Sequence, residues 1–126
     1  MPAPSSASVR VFSLNRDEVV GKLRRLAGEL VTSNPNVTRA LLFGSLTTDS
    51  YSPHSDADLL VVVERDLRRR MDRTTEFTLH FLPAGCPTDV LVYTEVELER
   101  ERAGPFLRRV LRQPLLLAER NDRNRG

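Results

Sequence analysis

A chain of 126 residues and 14.3 kDa is one domain's worth of sequence, with one modest core and no room for a separate substrate domain. Hydrophobic residues make up 40% and charged residues 29%, the balance of a globular protein, and the longest apolar run, Leu59 to Val63, is far too short to span a bilayer. The formal charge of +2 is too mild to argue for nucleic acid, and a single cysteine, Cys86, excludes an internal disulfide framework.

With only His54 and His80 beside that cysteine, a closed Cys/His zinc site is excluded too. The start, MPAPSSAS, has neither a basic n-region nor an apolar h-region, so the expected compartment is the cytoplasm. Of nineteen basic residues only Lys22 is a lysine, and Val20-Gly21-Lys22-Leu23 lacks the upstream glycine and the Ser/Thr of a Walker A loop. No G-x-G-x-x-G occurs either.

Residues 1–13 are rich in Pro, Ser and Ala and read as a flexible N-terminal arm. Val19, Val20, Leu23, Leu26, Ala27, Leu30 and Val31 recur at helical spacing, which predicts a helix over 16–32, stopped by Asn34-Pro35-Asn36. Val37 to Phe43 reads as a strand. A polar segment from Gly44 to Ser55 leads to a second, continuously apolar strand, Ala57 to Val63. Leu67, Met71, Thr74, Thr78 and Leu82 form a stripe, widened by Phe77 and Phe81, that predicts a second helix over 65–82. After a Pro/Gly loop, Thr88 to Tyr93 is a third strand. Thr94 with Glu97 is the capping-box signature of a helix over 95–102. Gly104-Pro105 breaks that helix, a further short one runs to about Arg112, and Leu115 to Ala118 is a short strand suited to a sheet edge after Pro114. The expected architecture is α/β (α+β): a small mixed sheet of about four strands with helices mainly on one face, over a domain of 14–120, with a disordered tail at 121–126.

Three carboxylates stand where aspartate is a poor strand residue. Asp56 and Asp58 open the second strand two apart, so both side chains point to one face. Asp89 opens the third strand and joins them if the two strands are neighbours, about 4.8 Å apart. Crowded carboxylates repel and raise one another's pKa, an arrangement that makes sense where hard divalent cations bind. Gly44-Ser45 follows the first strand. A glycine there lets backbone approach a ligand closely, and the amides of Ser45 and Leu46 with the Ser45 hydroxyl suit phosphate oxygens.

Gly44-Ser45, ten intervening residues, then Asp56-Ala57-Asp58 resembles the G-S-x10-D-x-D signature of the DNA polymerase β-like nucleotidyltransferase superfamily, and most closely its minimal nucleotidyltransferases (MNT proteins). The similarity covers most of residues 37–120, including the third aspartate in TDVLVYT, the acidic helix start EVELER and the GPFLRRVL segment. The resemblance implies a polymerase β-like nucleotidyltransferase fold, with Gly44 and Ser45 contacting the nucleoside triphosphate and Asp56 and Asp58 holding metal. Asp89 would complete the metal site or help deprotonate the attacking hydroxyl. It implies Mg²⁺ as cofactor, two ions with Mn²⁺ as a substitute, and ATP as substrate. The activity implied is transfer of NMP, AMP from ATP, to a hydroxyl with release of pyrophosphate. The implied partner is a helical HEPN-domain protein, with the chain as its antitoxin, or else a homodimer. The alternative is a non-catalytic nucleotide-binding module that neutralises such a partner by contact alone. Many relatives continue Gly-Ser with Arg-x-Arg-Gly, whereas this chain has Leu46-Thr47-Thr48-Asp49.

The remaining singular residues carry plainer readings. His54 is an exposed loop histidine, His80 a structural one, Cys86 has no base nearby in sequence, and Arg68-Arg69-Arg70 is a solvated helix face. Leu60, Val62, Leu91 and Tyr93 continue the aspartate face and are expected to form an exposed, partner-binding patch unless the local helices at 95–112 cover them.

Overall fold

The computed structural model describes residues 16–47 and 56–120. The arm at 1–13, the tail at 121–126 and His54 lie outside the described residues. The order is α1 (Arg16–Ser33), β1 (Val37–Phe43), a 3-10 turn (Ser45–Thr47), β2 (Ala57–Val63), a second 3-10 turn (Arg70–Arg73), α2 (Thr74–His80), a third (Leu82–Ala84), β3 (Thr88–Thr94), α3 (Glu95–Glu101), α4 (Pro105–Val110) and β4 (Leu115–Glu119).

The four strands form one sheet in the order β3-β2-β1-β4. β1 is antiparallel to both β2 and β4, whereas β2 and β3 are parallel, so the sheet is mixed. β4 lies at an edge, as Pro114 requires. Alternation along each strand divides the apolar side chains between two layers. On one face Ala40, Leu42, Leu59, Val61, Val90 and Val92 pack under α1 and α2, with Leu23 and Ala27 fully buried against them. On the other, Leu41, Leu60, Val62 and Tyr93 meet Leu98 of α3 and Leu107 and Val110 of α4. The long α1 and the short α2 thus occupy one face, and the short α3 and α4 the second.

That second layer decides between the two readings of the aspartate face, in favour of cover by the local helices. Leu60 and Val62 are fully buried and Tyr93 is 5% exposed, because the chain's own helices close over them. The aspartate face is covered locally and leaves no open apolar patch there. The reason lies in α3: its Thr94–Glu97 capping box forms, and Glu95 reaches across the sheet to Thr38 (2.6 Å) and Arg39 (3.3 Å) of β1, pinning the helix down.

The predicted helix over 65–82 is corrected. Only Thr74–His80 is α-helical. Leu67, Met71 and Leu82 of the supposed stripe are exposed, and the residues that anchor the segment are Phe77 and Phe81. Local charge wins over helical periodicity there. Arg68 binds Asp66 (2.7 Å) and Glu76 (2.7 Å), and Arg73 donates to the carbonyls of Asp66 and Arg68, folding the chain into a turn. Arg68, Arg69 and Arg70 are therefore each paired to a carboxylate rather than ranged along a helix face. His80 fits its structural reading, its Nε2 lying 2.6 Å from the Leu26 carbonyl oxygen of α1.

Candidate active site

β2 and β3 begin side by side. The Ala57 amide donates to the Pro87 carbonyl (2.9 Å), which fixes the parallel register before either strand is fully under way. Asp58 then lies directly opposite Asp89, on the face that continues as Leu60 and Leu91. On the other side of β2, Asp58 is opposite Phe43, the last residue of β1. Asp58 therefore stands between Asp89 and the end of β1, and Asp56 precedes it at the strand entrance with the same parity.

The electrostatics bear out this crowding. Asp58 is half-buried, and its carboxyl is pushed above the ordinary carboxylate range by burial first, then by the charges of Asp89 and Asp56. No guanidinium or ammonium pairs with any of the three aspartates among the described residues.

Gly44 follows Phe43 with φ +84°, the left-handed region that disfavours side chains. A Cβ built there would come 2.3 Å from Asp58 Oδ2. Two constraints thus favour glycine at this point: the left-handed dihedral and the proximity of Asp58. The following turn closes back on Gly44, whose carbonyl accepts from the Thr47 amide (3.1 Å) and hydroxyl (2.7 Å). Leu46 plunges into the core, fully buried, while its carbonyl accepts from Arg16 Nε at 2.7 Å. That burial is the physical counterpart of the missing Arg-x-Arg-Gly: this chain uses the position after Ser45 as an apolar anchor.

Three carboxylates on adjoining strand entrances are an all-oxygen donor set, the type that hard divalent cations select, and the raised proton affinity of Asp58 is what a nearby cation would reverse. The residues fit such an ion chemically, although no three carboxylate, imidazole or thiol groups already converge into a cage among the described residues.

The family model of the nucleotidyltransferase domain matches residues 23–122, most of the chain and all of the site just described. The chain belongs to the nucleotidyltransferase domain family. It is a minimal member, an enzyme of the nucleotidyl-transfer class whose sheet carries the motif residues at its strand ends. No curated protein matches it as a sequence relative. Among solved structures it is similar to a protein from Sulfolobus solfataricus assigned as a nucleotidyltransferase, at 19% identity and a TM-score of 0.56, over 83% of this chain and 84% of that one. It is also similar to a toxin–antitoxin determined with AMP-PNP, at 17% identity and a TM-score of 0.51, over 89% of this chain and 79% of the other. A mutant of the toxin–antitoxin MntA–HpeT gives 15% identity, a TM-score of 0.50 and the same coverage, 89% and 79%. At these identities the likeness establishes the shared mixed-sheet fold.

Sequence position and spacing singled out Gly44, Ser45, Asp56, Asp58 and Asp89; the fold brings Gly44 against Asp58, sets Asp89 opposite Asp58, leaves Asp56 at the strand entrance and opens the 3-10 turn with Ser45. It singled out Leu46 only for its backbone amide and did not find its buried side chain or the Thr47 hydroxyl, which shape the turn. A leucine in a Ser/Thr-rich loop was the available signal. Cys86, partly buried beside the β3 entrance, has its thiol pushed up, chiefly by burial, which fits an inert side chain. Among the described residues no helix is long and apolar enough to cross a membrane.

Proposed function

We propose that this chain transfers NMP, specifically AMP from ATP, onto a hydroxyl of a partner protein, as the antitoxin of a toxin–antitoxin pair. The observation that carries the reading is the meeting of Gly44 and Asp58: the point where backbone can approach phosphate adjoins the carboxylates placed to hold metal. The AMP-PNP named with one structural neighbour supports ATP, and the toxin–antitoxin neighbours support a protein acceptor, for which an all-helical HEPN-type chain is the proposed identity.

In this reading the amides after Gly44, with Ser45, hold the β- and γ-phosphates. Asp56, Asp58 and Asp89 hold Mg²⁺, with Mn²⁺ a substitute. When bound, the ions neutralise phosphate charge and orient the reacting oxygens. The acceptor oxygen attacks the α-phosphorus and forms the new P–O bond. The bond from the α-phosphorus to the bridging oxygen breaks, and pyrophosphate leaves with that electron pair. The acceptor's proton passes to the carboxylate of Asp89, which stands beside Asp58 at the outer edge strand. Most of the acceleration comes from holding the two reactants in line in a preorganised charged site.

The test is incubation with Mg²⁺ and α-labelled ATP, with and without the partner. Label covalently on the partner is the expected result. A partner neutralised without label would replace transfer by contact-only binding.

A further inference from the structure

A cavity of about 340 Å³ opens between the Gly44–Thr47 turn and α4, and one of its lining residues, Phe43, is the register partner of Asp58. Its walls include Phe43 and Phe106, and Arg109 and Arg112 stand at its rim. Its volume is at the low end of the roughly 300–1,000 Å³ of ligand pockets, enough for a base with its sugar but not for a whole triphosphate.

Three features of this cavity are unexplained by folding. Phe106 is 43% exposed although α4 buries Leu107 and Val110 in the second core layer, so its ring faces outward without a packing duty. Arg109 and Arg112 are exposed and make no ion pair with a described residue, whereas Arg68, Arg69, Arg70 and Arg73 are each paired. And Gly44 is shared, lining the cavity while touching the space of Asp58. An aromatic face beside guanidinium groups that make no ion pair with a described residue, next to the glycine that adjoins Asp58, is the chemistry that receives a nucleotide: π-stacking for the base and positive charge for the phosphates.

We propose that this cavity is the nucleoside subsite, taking the base and ribose of the incoming triphosphate. The base lies on Phe106, opposite Phe43. Arg109 and Arg112, from a different element than the Gly-Ser turn, draw the phosphates past Gly44 toward Asp58. They supply positive charge that the turn itself, built on Leu46 and Thr47, does not. The inference rests on the nucleotide-transfer reading of the carboxylate site and adds the residues that grip the nucleoside.

The test is calorimetric titration of the full chain with MgATP and, separately, with magnesium tripolyphosphate, which has the phosphates and no base. Phe106→Ala is expected to weaken MgATP about tenfold and leave tripolyphosphate unchanged, the signature of a lost stacking partner. The double variant Arg109→Gln with Arg112→Gln should weaken both ligands. Leu116→Ala, an exposed apolar truncation on β4, should change neither. Unaltered MgATP affinity in Phe106→Ala, or equal weakening of both ligands, would overturn the subsite while leaving the transfer reading intact. Failure of the wild-type chain to bind MgATP at all would overturn both.

Discussion

The two ends of the β2–β3 pair hold charge in opposite ways. At the entrance, Asp56, Asp58 and Asp89 are like charges with no cation among the described residues, and Asp58 is driven toward protonation. At the exit, acids and guanidinium groups are paired with one another, although Arg70 Nε is left without a hydrogen-bond partner. Arg73, 3% exposed, makes a two-pronged bond to Glu97 (2.6 and 3.0 Å) and donates to the backbone carbonyls of Arg68, Asp66 and Val92. Arg70 binds Glu101 (2.7 Å) and lies 4.1 Å over the Tyr93 ring. Glu97 is held down to about 2, first by its hydrogen bond from Arg73, with burial opposing. The same two strands therefore carry a cluster of paired opposite charges at one end and a cluster of like charges, unpaired among the described residues, at the other. Charge placement separates structure from function here better than burial does, since both clusters contain half-buried acids.

The sharpest way to break that comparison is to remove the guanidinium at the paired end. Arg73→Met should cost about 3–5 kcal/mol in urea unfolding, because Glu97 and several carbonyls lose their donor inside the protein. A loss under about 1 kcal/mol would mean the cluster is ornamental. At the other end, Asp58→Asn should cut nucleotidyl transfer by about 10²–10³-fold, the scale on which removal of one preorganised electrostatic group acts, while the melting temperature holds or rises. A fall in stability matching that of Arg73→Met would show that the entrance is structural after all.

Gly44→Val tests the junction between the two regions. The new side chain meets Asp58 Oδ2 and must adopt a positive φ, so MgATP affinity should fall beyond detection and stability by about 1–3 kcal/mol. Smaller still is Thr94→Ala, which removes the α3 cap and should cost about 1 kcal/mol with catalysis little changed.

Acid separates the two ends by sign. Glu97 has a folded pKa of about 2 against an ordinary 4.5, so its stabilisation is complete above 4.5 and is lost as pH falls toward 2. Asp58 is shifted the other way, so its unfavourable contribution vanishes on protonation. Chemical denaturation between pH 5 and 2, ranges set by those values, should show wild type losing stability and Glu97→Gln, weaker at neutral pH, losing much less.

This contrast also explains what was legible in the sequence. The entrance site was readable because its residues lie in short motifs at strand starts, where aspartate is out of place and parity fixes the facing: Asp56 and Asp58 by a spacing of two, Asp89 by its position ahead of VLVY. The strands and the first helix were readable from apolar periodicity, and α3 from its cap. The exit cluster was not. Arg73 and Glu97 are separated along the chain by a whole strand, and nothing local marks either as a partner of the other. The same blindness produced the overlong helix at 65–82, since Leu67 and Met71 have the right period and only the long-range pull on Arg68 and Arg73 turns the chain away. The coverage of Leu60 and Val62 by α3 and α4 depended likewise on Glu95 reaching β1, a contact between residues more than fifty positions apart.

The antiparallel docking of β4 on β1 has a consequence for the time course of folding. Arg39 pairs with Glu119 and Ala40 with Ala118, while Leu117 completes the core under α1. During synthesis β1, β2 and β3, with Gly44 and all three aspartates, emerge before β4 does, and β1 keeps a bare hydrogen-bonding edge until then. Closing so long a loop is slow, and a bare strand edge is a template for pairing with other chains. The newly made protein therefore has its motif-bearing strands early, and the docking of β4 moves that edge of the sheet from the seven-residue β1 to a five-residue strand headed by Pro114.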